Sequence, residues 1–305
     1  MRATLLILAL AFGPRTAEAL DLPVTLNDGA IWIQTSVHSR TDTRKGIIHP
    51  MTATSVIKTT YRKDSGANTL RQDFVSFSVD GVGGEQLKAL ADQAKLIYPA
   101  VIEVDDALRP SRVREWDKMR ETIFETVATQ VPDARAVAAV RANYDKMDAS
   151  QAAALFNEQS LVSLGQGTGL ELGDTRRYEG ETPNSLGGPP IKTSGSFRLE
   201  SIDKAKGHAF IVWSQLPDPA SLSASLKVSV DALIARAAPE RQSEAKAQLA
   251  NLVFERQESC RFEVDLPTGL AVTTDCTVNL KTGLQGQITE RSDRWVITQT
   301  LPEAH

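Results

Sequence analysis

The stretch that decides the fold runs from Ser259 to Val278 and reads SCRFEVDLPTGLAVTTDCTV. Polar and apolar side chains alternate strictly on both sides of Pro267-Thr268-Gly269, a combination that is typical of a turn. Alternation with a period of two indicates strands that bury one face. The stretch therefore predicts an antiparallel hairpin centred on Thr268.

This hairpin also predicts a disulfide between Cys260 and Cys276, the two cysteines of the chain. Both lie eight residues from Thr268, so they should face each other across the strands, in register with Phe262–Thr274, Val264–Val272 and Leu266–Leu270. Opposed residues of an antiparallel pair are close enough for a disulfide. A redox-active pair would need a close CxxC spacing or an activated thiol, and the sequence shows neither.

Similar alternation predicts further strands on both sides of a glycine-rich stretch, 165–190. These are 30–37, 52–61, 69–79, 100–104, 195–202, 208–214, 284–290 and 294–300, the last two joined by a turn at Ser292-Asp293. Apolar residues at helical spacing predict helices over 85–98, 111–127, 134–147 and 218–249, with a break at Pro239, and Asp148 with Gln151 forms a capping box.

Strands in series with segregated helices predict an α+β fold. We expect antiparallel, strongly curved sheet(s) with helical insertions in two similar-looking halves, residues 20–163 and 164–305. The C-terminal half would contain the disulfide hairpin. Two small barrels joined by the glycine-rich stretch are the alternative architecture.

The N-terminus predicts export. Arg2 precedes the apolar run 3–12, and Ala17-Glu18-Ala19 has the small-x-small pattern of a signal-peptidase site. We therefore expect residues 1–19 to be a signal peptide and the mature protein to be periplasmic or secreted. An oxidising compartment agrees with a disulfide. No later run is long enough to suggest a transmembrane segment.

Composition and charge narrow the classes of partner. The formal net charge is −4, and the sequence contains no long basic run. A mildly acidic protein of this kind is a poor binder of nucleic acid and of anionic membrane surfaces. We expect no nucleic-acid partner, and either a hydrophobic small molecule or an envelope protein in its place.

The sequence shows no catalytic, metal or cofactor motif. His38, His49, His208 and His305 have no ligand spacing, and Ser201 to Lys204 matches SxxK where a strand is expected to end. Gly165-Gln166-Gly167-Thr168-Gly169 lacks the phasing of a phosphate loop. We assign no catalytic, cofactor-binding or metal-binding residues and expect no cofactor.

Three tryptophans in predicted strands, Trp32, Trp213 and Trp295, offer two interpretations. Large aromatic side chains most often pack in a core. They can also form the wall of an apolar pocket for a hydrophobic ligand.

Several segments of the C-terminal half resemble a family of uncharacterised secreted or periplasmic bacterial proteins. They are Gly169-Leu170-Glu171-Leu172-Gly173-Asp174, Gly188-Pro189-Pro190-Ile191, Ser196 to Leu199 and Phe262 to Leu270. The family has an LxxGD-like opening and a strand ending in a D-x-x-T-G turn. The resemblance covers mostly residues 165–300 and implies no known activity, so it assigns no functional residue.

These observations favour an exported, non-enzymatic protein that binds an apolar ligand or a partner segment, or is associated with the envelope. Two alternatives remain open. One is a periplasmic hydrolase with an unrecognised site, and the other is a structural or assembly protein that acts through its sheet edges.

Overall fold

One antiparallel sheet of eleven strands dominates the protein, in the order β6-β5-β4-β3-β2-β13-β12-β11-β10-β9-β8. The computed structural model describes residues 19–20, 22–44, 46–81, 95–130, 137–138, 141–142, 144–182, 190–236, 242–243, 253–284 and 287–301. Residues 1–18 of the predicted signal peptide (1–19), most of the predicted helices over 85–98 and 239–249, and part of the helix predicted over 134–147 lie outside these residues.

The first six strands of the sheet in chain order are β2 (Ile31–Arg44), β3 (Ile47–Arg62), β4 (Asn68–Gly81), β5 (Ala100–Val104), β6 (Pro110–Val113) and β8 (Thr175–Thr182). The others are β9 (Ile191–Asp203), β10 (His208–Pro217), β11 (Val253–Asp265), β12 (Ala271–Leu284) and β13 (Gln287–Thr300). A two-stranded sheet pairs β1 (Ala19–Leu20) with β7 (Leu170–Glu171). The described α-helices are α1 (Trp116–Gln130), α2 (Asn157–Ser163) and α3 (Pro219–Arg236), with 3-10 turns at Lys95–Ile97 and Gln151–Leu155.

The predicted α+β class with two similar halves is wrong. The described residues are mostly strand, and both segments of the chain contribute to the same sheet. The reason is the pairing of β2 with β13, which runs from Ile33–Thr300 to Arg44–Thr289. Each strand would be an exposed edge if the halves were separate sheets, and pairing satisfies the backbone groups of both.

The hairpin of β11 and β12 confirms the predicted opposition of Cys260 and Cys276. Their Sγ atoms are 2.00 Å apart and their Cα atoms 4.0 Å apart. The predicted register holds for Phe262–Thr274, but an irregularity after Glu263 pairs Val264 with Ala271 and not with Val272. Val264 is fully buried, so the shift leaves the apolar side of the strand in the core.

Strand β13 is continuous, so the turn predicted at Ser292-Asp293 is wrong. Asp293 has an exposed fraction of 3% and lies opposite Arg40 of β2. Ser-Asp is a common turn pair. Here the ladder to β2 and β12 keeps the backbone extended, and two guanidinium groups and one imidazole satisfy the buried carboxylate.

The helix predicted from Ser111 begins later, at Trp116, because residues 110–113 pair with β5. Two predicted helix starts are confirmed. The Asp218 carboxylate accepts a hydrogen bond from the Ser221 N–H at 2.7 Å. Asp148 and Gln151 form the reciprocal capping box, at 2.7 and 2.9 Å.

One face of the sheet is covered, and we call it the covered face. It carries Trp32 and Gln34 of β2, Ile297 of β13 and Phe262 of β11, all with exposed fractions of 4% or less. The segment 22–26 crosses this face and is fixed by backbone hydrogen bonds from Thr25 to Thr268 and from Gly167 to Leu22. Helix α2 lies on the same face, over β2 and β3.

Candidate functional site

Two of the three tryptophans predicted as pocket lining lie in the core. Trp32 is 1% exposed and packs with Leu70 and Ile102. Trp213 is 5% exposed, and its Nε1–H donates to the Tyr178 hydroxyl at 2.8 Å. Trp295 is partly exposed and lines a cavity on the covered face. The pocket interpretation therefore applies to Trp295 at this cavity.

This cavity has a volume of about 240 Å³ and lies between β2, β3, β4 and β13 on one side and the segments 97–98 and 155–159 on the other. We call it the aromatic cavity, because five rings line it. They belong to Phe74, Phe77, Tyr98, Phe156 and Trp295.

A bulge between β3 and β4 places two of these rings. Ile57 pairs with Phe74, whereas Ser55 pairs with Phe77, so one residue of β4 is extra at this point. Residues three apart in a regular strand point to opposite faces. The bulge brings Phe74 and Phe77 onto the covered face together and leaves Val75 54% exposed on the other.

Tyr98 closes the cavity above these strands. Its ring is 6.1 Å from that of Phe74 and 6.3 Å from that of Phe156, the latter edge-on. Such tilted arrangements are favourable for aromatic pairs. Burial raises the pKa of the Tyr98 hydroxyl, and the negative charge of Glu158 raises it further.

Glu158 supplies the one acidic side chain among the residues that line this cavity. It lies in the first turn of α2 and reaches the central strands of the sheet. Ser55 donates to its two carboxylate oxygens at 3.2 and 3.3 Å, and the Gln34 amide donates at 3.4 Å. The carboxylate is therefore held by neutral donors.

Burial raises the pKa of the Glu158 carboxyl, because low polarity disfavours the charged form. The neighbouring Ser36 and Ser55 hydroxyls, the Gln34 amide and the proximity of His38 lower it, but do not cancel this effect. The cavity thus contains an acid whose charge is costly.

A second polar cluster lies on the covered face beside the cavity. Asp293 accepts hydrogen bonds from His38 Nε2 at 2.8 Å, from Arg40 Nε at 2.7 Å and from Arg291 Nε. Burial by itself would raise the pKa of Asp293, but the bonds from these three partners hold it well below its ordinary value. We call these four residues the Asp293 cluster.

His208 and His49 are separate from this cluster, and His305 lies outside the described residues. His208 contacts Glu263 at 2.7 Å between Nδ1 and Oε1. His49 lies opposite Asp42 across β2 and β3. Within the described ranges, no group of three or more His, Cys, Asp or Glu side chains is placed to hold a metal ion.

Sequence reasoning did not find Glu158 or Asp293. Nothing in the sequence around Glu158, a single glutamate in a seven-residue helix, indicates that it faces a cavity. The sequence around Asp293 is typical of a turn. The polar residues Gln34, Ser36 and Gln299, which are buried in strands, were the available signal. Polar side chains on the buried side of an alternating strand indicate partners brought by another element.

The described part of the chain contains no helix that is both long enough and apolar enough to span a membrane. No family model and no curated protein matches the sequence.

Solved structures give weak similarities. DynF from the dynemicin biosynthesis pathway of Micromonospora chersina is 6% identical with a TM-score of 0.21, over 95% of this chain and 88% of that one. Pseudomonas aeruginosa OccK5 (OpdH) is 9% identical with a TM-score of 0.23, over 92% of this chain and 99% of that one. Scores this low carry no argument about function, and the aromatic cavity remains the ground for a proposal.

Proposed function

We propose that this protein is an exported, non-enzymatic binding protein that holds a small, largely apolar ligand in the aromatic cavity. The observation that carries the proposal is the convergence of five aromatic rings and a few polar groups on one concave site. Binding pockets for small molecules commonly combine apolar walls with a small number of placed polar groups.

The size of the cavity limits the ligand. Pockets for drug-sized molecules measure about 300–1,000 Å³. A cavity of about 240 Å³ fits a smaller molecule or the end of a longer one. Export is supported by the N-terminal sequence and by the Cys260–Cys276 bond, which suits an oxidising compartment.

The test uses the full-length gene expressed with its N-terminal segment, and the exported protein purified under mild conditions. The neutral fluorescent probe N-phenyl-1-naphthylamine would then be titrated in. We expect saturable binding that is weakened at least tenfold by Leu155→Trp, which places a large side chain at the cavity wall.

Val75→Trp is the matched control, because it adds the same ring on the opposite face of the sheet. Circular dichroism of both variants checks that they fold. Equal binding in wild type and Leu155→Trp, or a wild type that binds neither this probe nor benzyltrimethylammonium, would overturn the proposal. Recovery of a chain that retains residues 1–19 would contradict the proposed export of the protein.

A further inference from the structure

We propose that the aromatic cavity selects an organic cation, an amine or quaternary ammonium group on an apolar body, whose charge pairs with Glu158. This inference rests on the proposed binding function and names the ligand class of that site. Two observations carry it: the carboxylate lacks a cationic partner among the described residues, and the rings around it have faces that attract cations.

The first observation concerns the charge of Glu158. Its hydrogen bonds come from Ser55 and Gln34, which are neutral, and no lysine or arginine in the described ranges forms an ion pair with it. A partly buried carboxylate without a counter-charge is costly, and a cationic ligand would remove that cost. The raised pKa of the carboxyl is in agreement with a missing counter-charge.

The Asp293 cluster does not supply this counter-charge. Arg40 and Arg291 both bond to Asp293, and neither lines the cavity. His38 lies close enough to Glu158 to lower its pKa, but its Nε2 bonds to Asp293 and its ring stacks on Trp295. The side chains of Arg40, Arg291 and His38 are therefore hydrogen-bonded to another carboxylate.

The second observation concerns the walls. A cation within about 6 Å of a ring centroid is attracted by the ring quadrupole. The chain itself shows this at one ring, where the Lys95 ammonium is 5.8 Å from the centroid of Phe74. Five rings and one carboxylate line the same cavity, and this combination suits an ammonium group better than an isolated ion pair would.

Other ligand classes fit less well. An anion would be repelled by Glu158 at close range. A neutral apolar molecule would displace water from the carboxylate without replacing its interactions. A cation with an apolar body satisfies both the charge and the rings.

The test compares two probes of the same shape. Benzyltrimethylammonium carries a positive nitrogen where neopentylbenzene has a carbon, and ligand-observed NMR titration of the full chain measures the binding of each. We expect the cation to bind at least tenfold more tightly. Glu158→Gln should remove that preference, and Glu125→Gln, on the exposed side of α1, should leave it unchanged.

The outcomes separate the two proposals. Equal affinity of the wild type for the two probes would overturn the cation inference and leave the binding function standing. Failure of both probes and of N-phenyl-1-naphthylamine would overturn both. A preference for the cation that persists in Glu158→Gln would overturn the role of the carboxylate.

Discussion

The imidazole of His38 lies parallel to the indole of Trp295, with 4.4 Å between ring centroids and 3° between ring planes. The two residues are direct partners across β2 and β13, the pair of strands that joins the two ends of the chain. His38 also bonds to Asp293, so the Asp293 cluster holds one wall of the aromatic cavity in place.

Asp293→Asn should destabilise the protein by about 2–3 kcal/mol at pH 7. Removing one partner of a buried ion pair costs about 3–5 kcal/mol, and this figure is reduced here because Arg40 and Arg291 are 31% and 35% exposed. The measurement is urea unfolding followed by circular dichroism and by the summed fluorescence of the four tryptophans.

The loss of stability in Asp293→Asn should become smaller as the pH falls. The pKa of Asp293 is lowered in the folded protein, so its contribution is present above the unfolded value of about 3.9 and is lost as pH falls through the folded value. The difference between wild type and Asp293→Asn should therefore narrow below pH 4. Asp275→Asn, which breaks an exposed pair with Arg294, should cost at most about 1 kcal/mol. Equal costs for the two variants would contradict the prediction.

Glu158→Gln should stabilise the ligand-free protein by about 1 kcal/mol at pH 8, since it removes a partly buried charge and keeps a hydrogen-bonding side chain. The folded pKa of Glu158 is raised, so its contribution to stability is full below about pH 4.3 and falls as pH rises through the folded value. The advantage of the variant should therefore grow from pH 4 to pH 8.

Urea unfolding of both proteins across this range measures that growth. The neighbours His38 and Tyr98 are common to both proteins, as is Asp293, which bonds to His38. Glu125→Gln should show no such pH dependence. A variant that is less stable than wild type at pH 8 would show that the charged form of Glu158 is needed for the fold.

Loss of the Cys260–Cys276 bond should lower the free energy of unfolding by about 3 kcal/mol, the value for a closed loop of about 15 residues. The double variant Cys260→Ser/Cys276→Ser and the reduced wild type should show the same shift of the urea midpoint. Reductant should not affect the double variant. An unchanged midpoint after reduction would mean that the bond adds no stability.

Gly269→Ala should be more damaging than a substitution at another glycine with positive φ. Gly269 has a φ of +69°, and a Cβ there would collide with the carbonyl oxygen of Pro23 in the crossing segment 22–26. Strain together with a backbone collision should cost more than about 2 kcal/mol.

Gly173→Ala is the control, because Gly173 has a φ of +82° and no atom within 4 Å of the added Cβ. It should lose only about 1–2 kcal/mol, for the left-handed backbone. Thermal unfolding of the two variants measures the difference. Equal losses would show that segment 22–26 moves aside without cost.

Sequence patterns predicted only part of the aromatic cavity. Trp295 was predicted as pocket lining together with Trp32 and Trp213, but the last two are buried in the core and do not line the cavity. The face on which Phe77 lies could not be predicted. The bulge in β4, opposite Val56 and Ile57 of β3, reverses the face to which the later residues of β4 point. Such an irregularity depends on the neighbouring strand and leaves no pattern in β4 itself.

The sequence by itself determined the β11–β12 hairpin with its disulfide and the caps at Asp218 and Asp148, because each depends on residues close together in the chain. Only the tertiary structure decided that β2 pairs with β13. It also decided that Glu158 accepts a hydrogen bond from Ser55, and that Asp293 bonds to His38, 255 positions away in the chain. Alternation shows which side of a strand is buried. It does not show which strand lies beside it, because every strand offers the same backbone donors and acceptors, and the choice is made by packing of the whole chain.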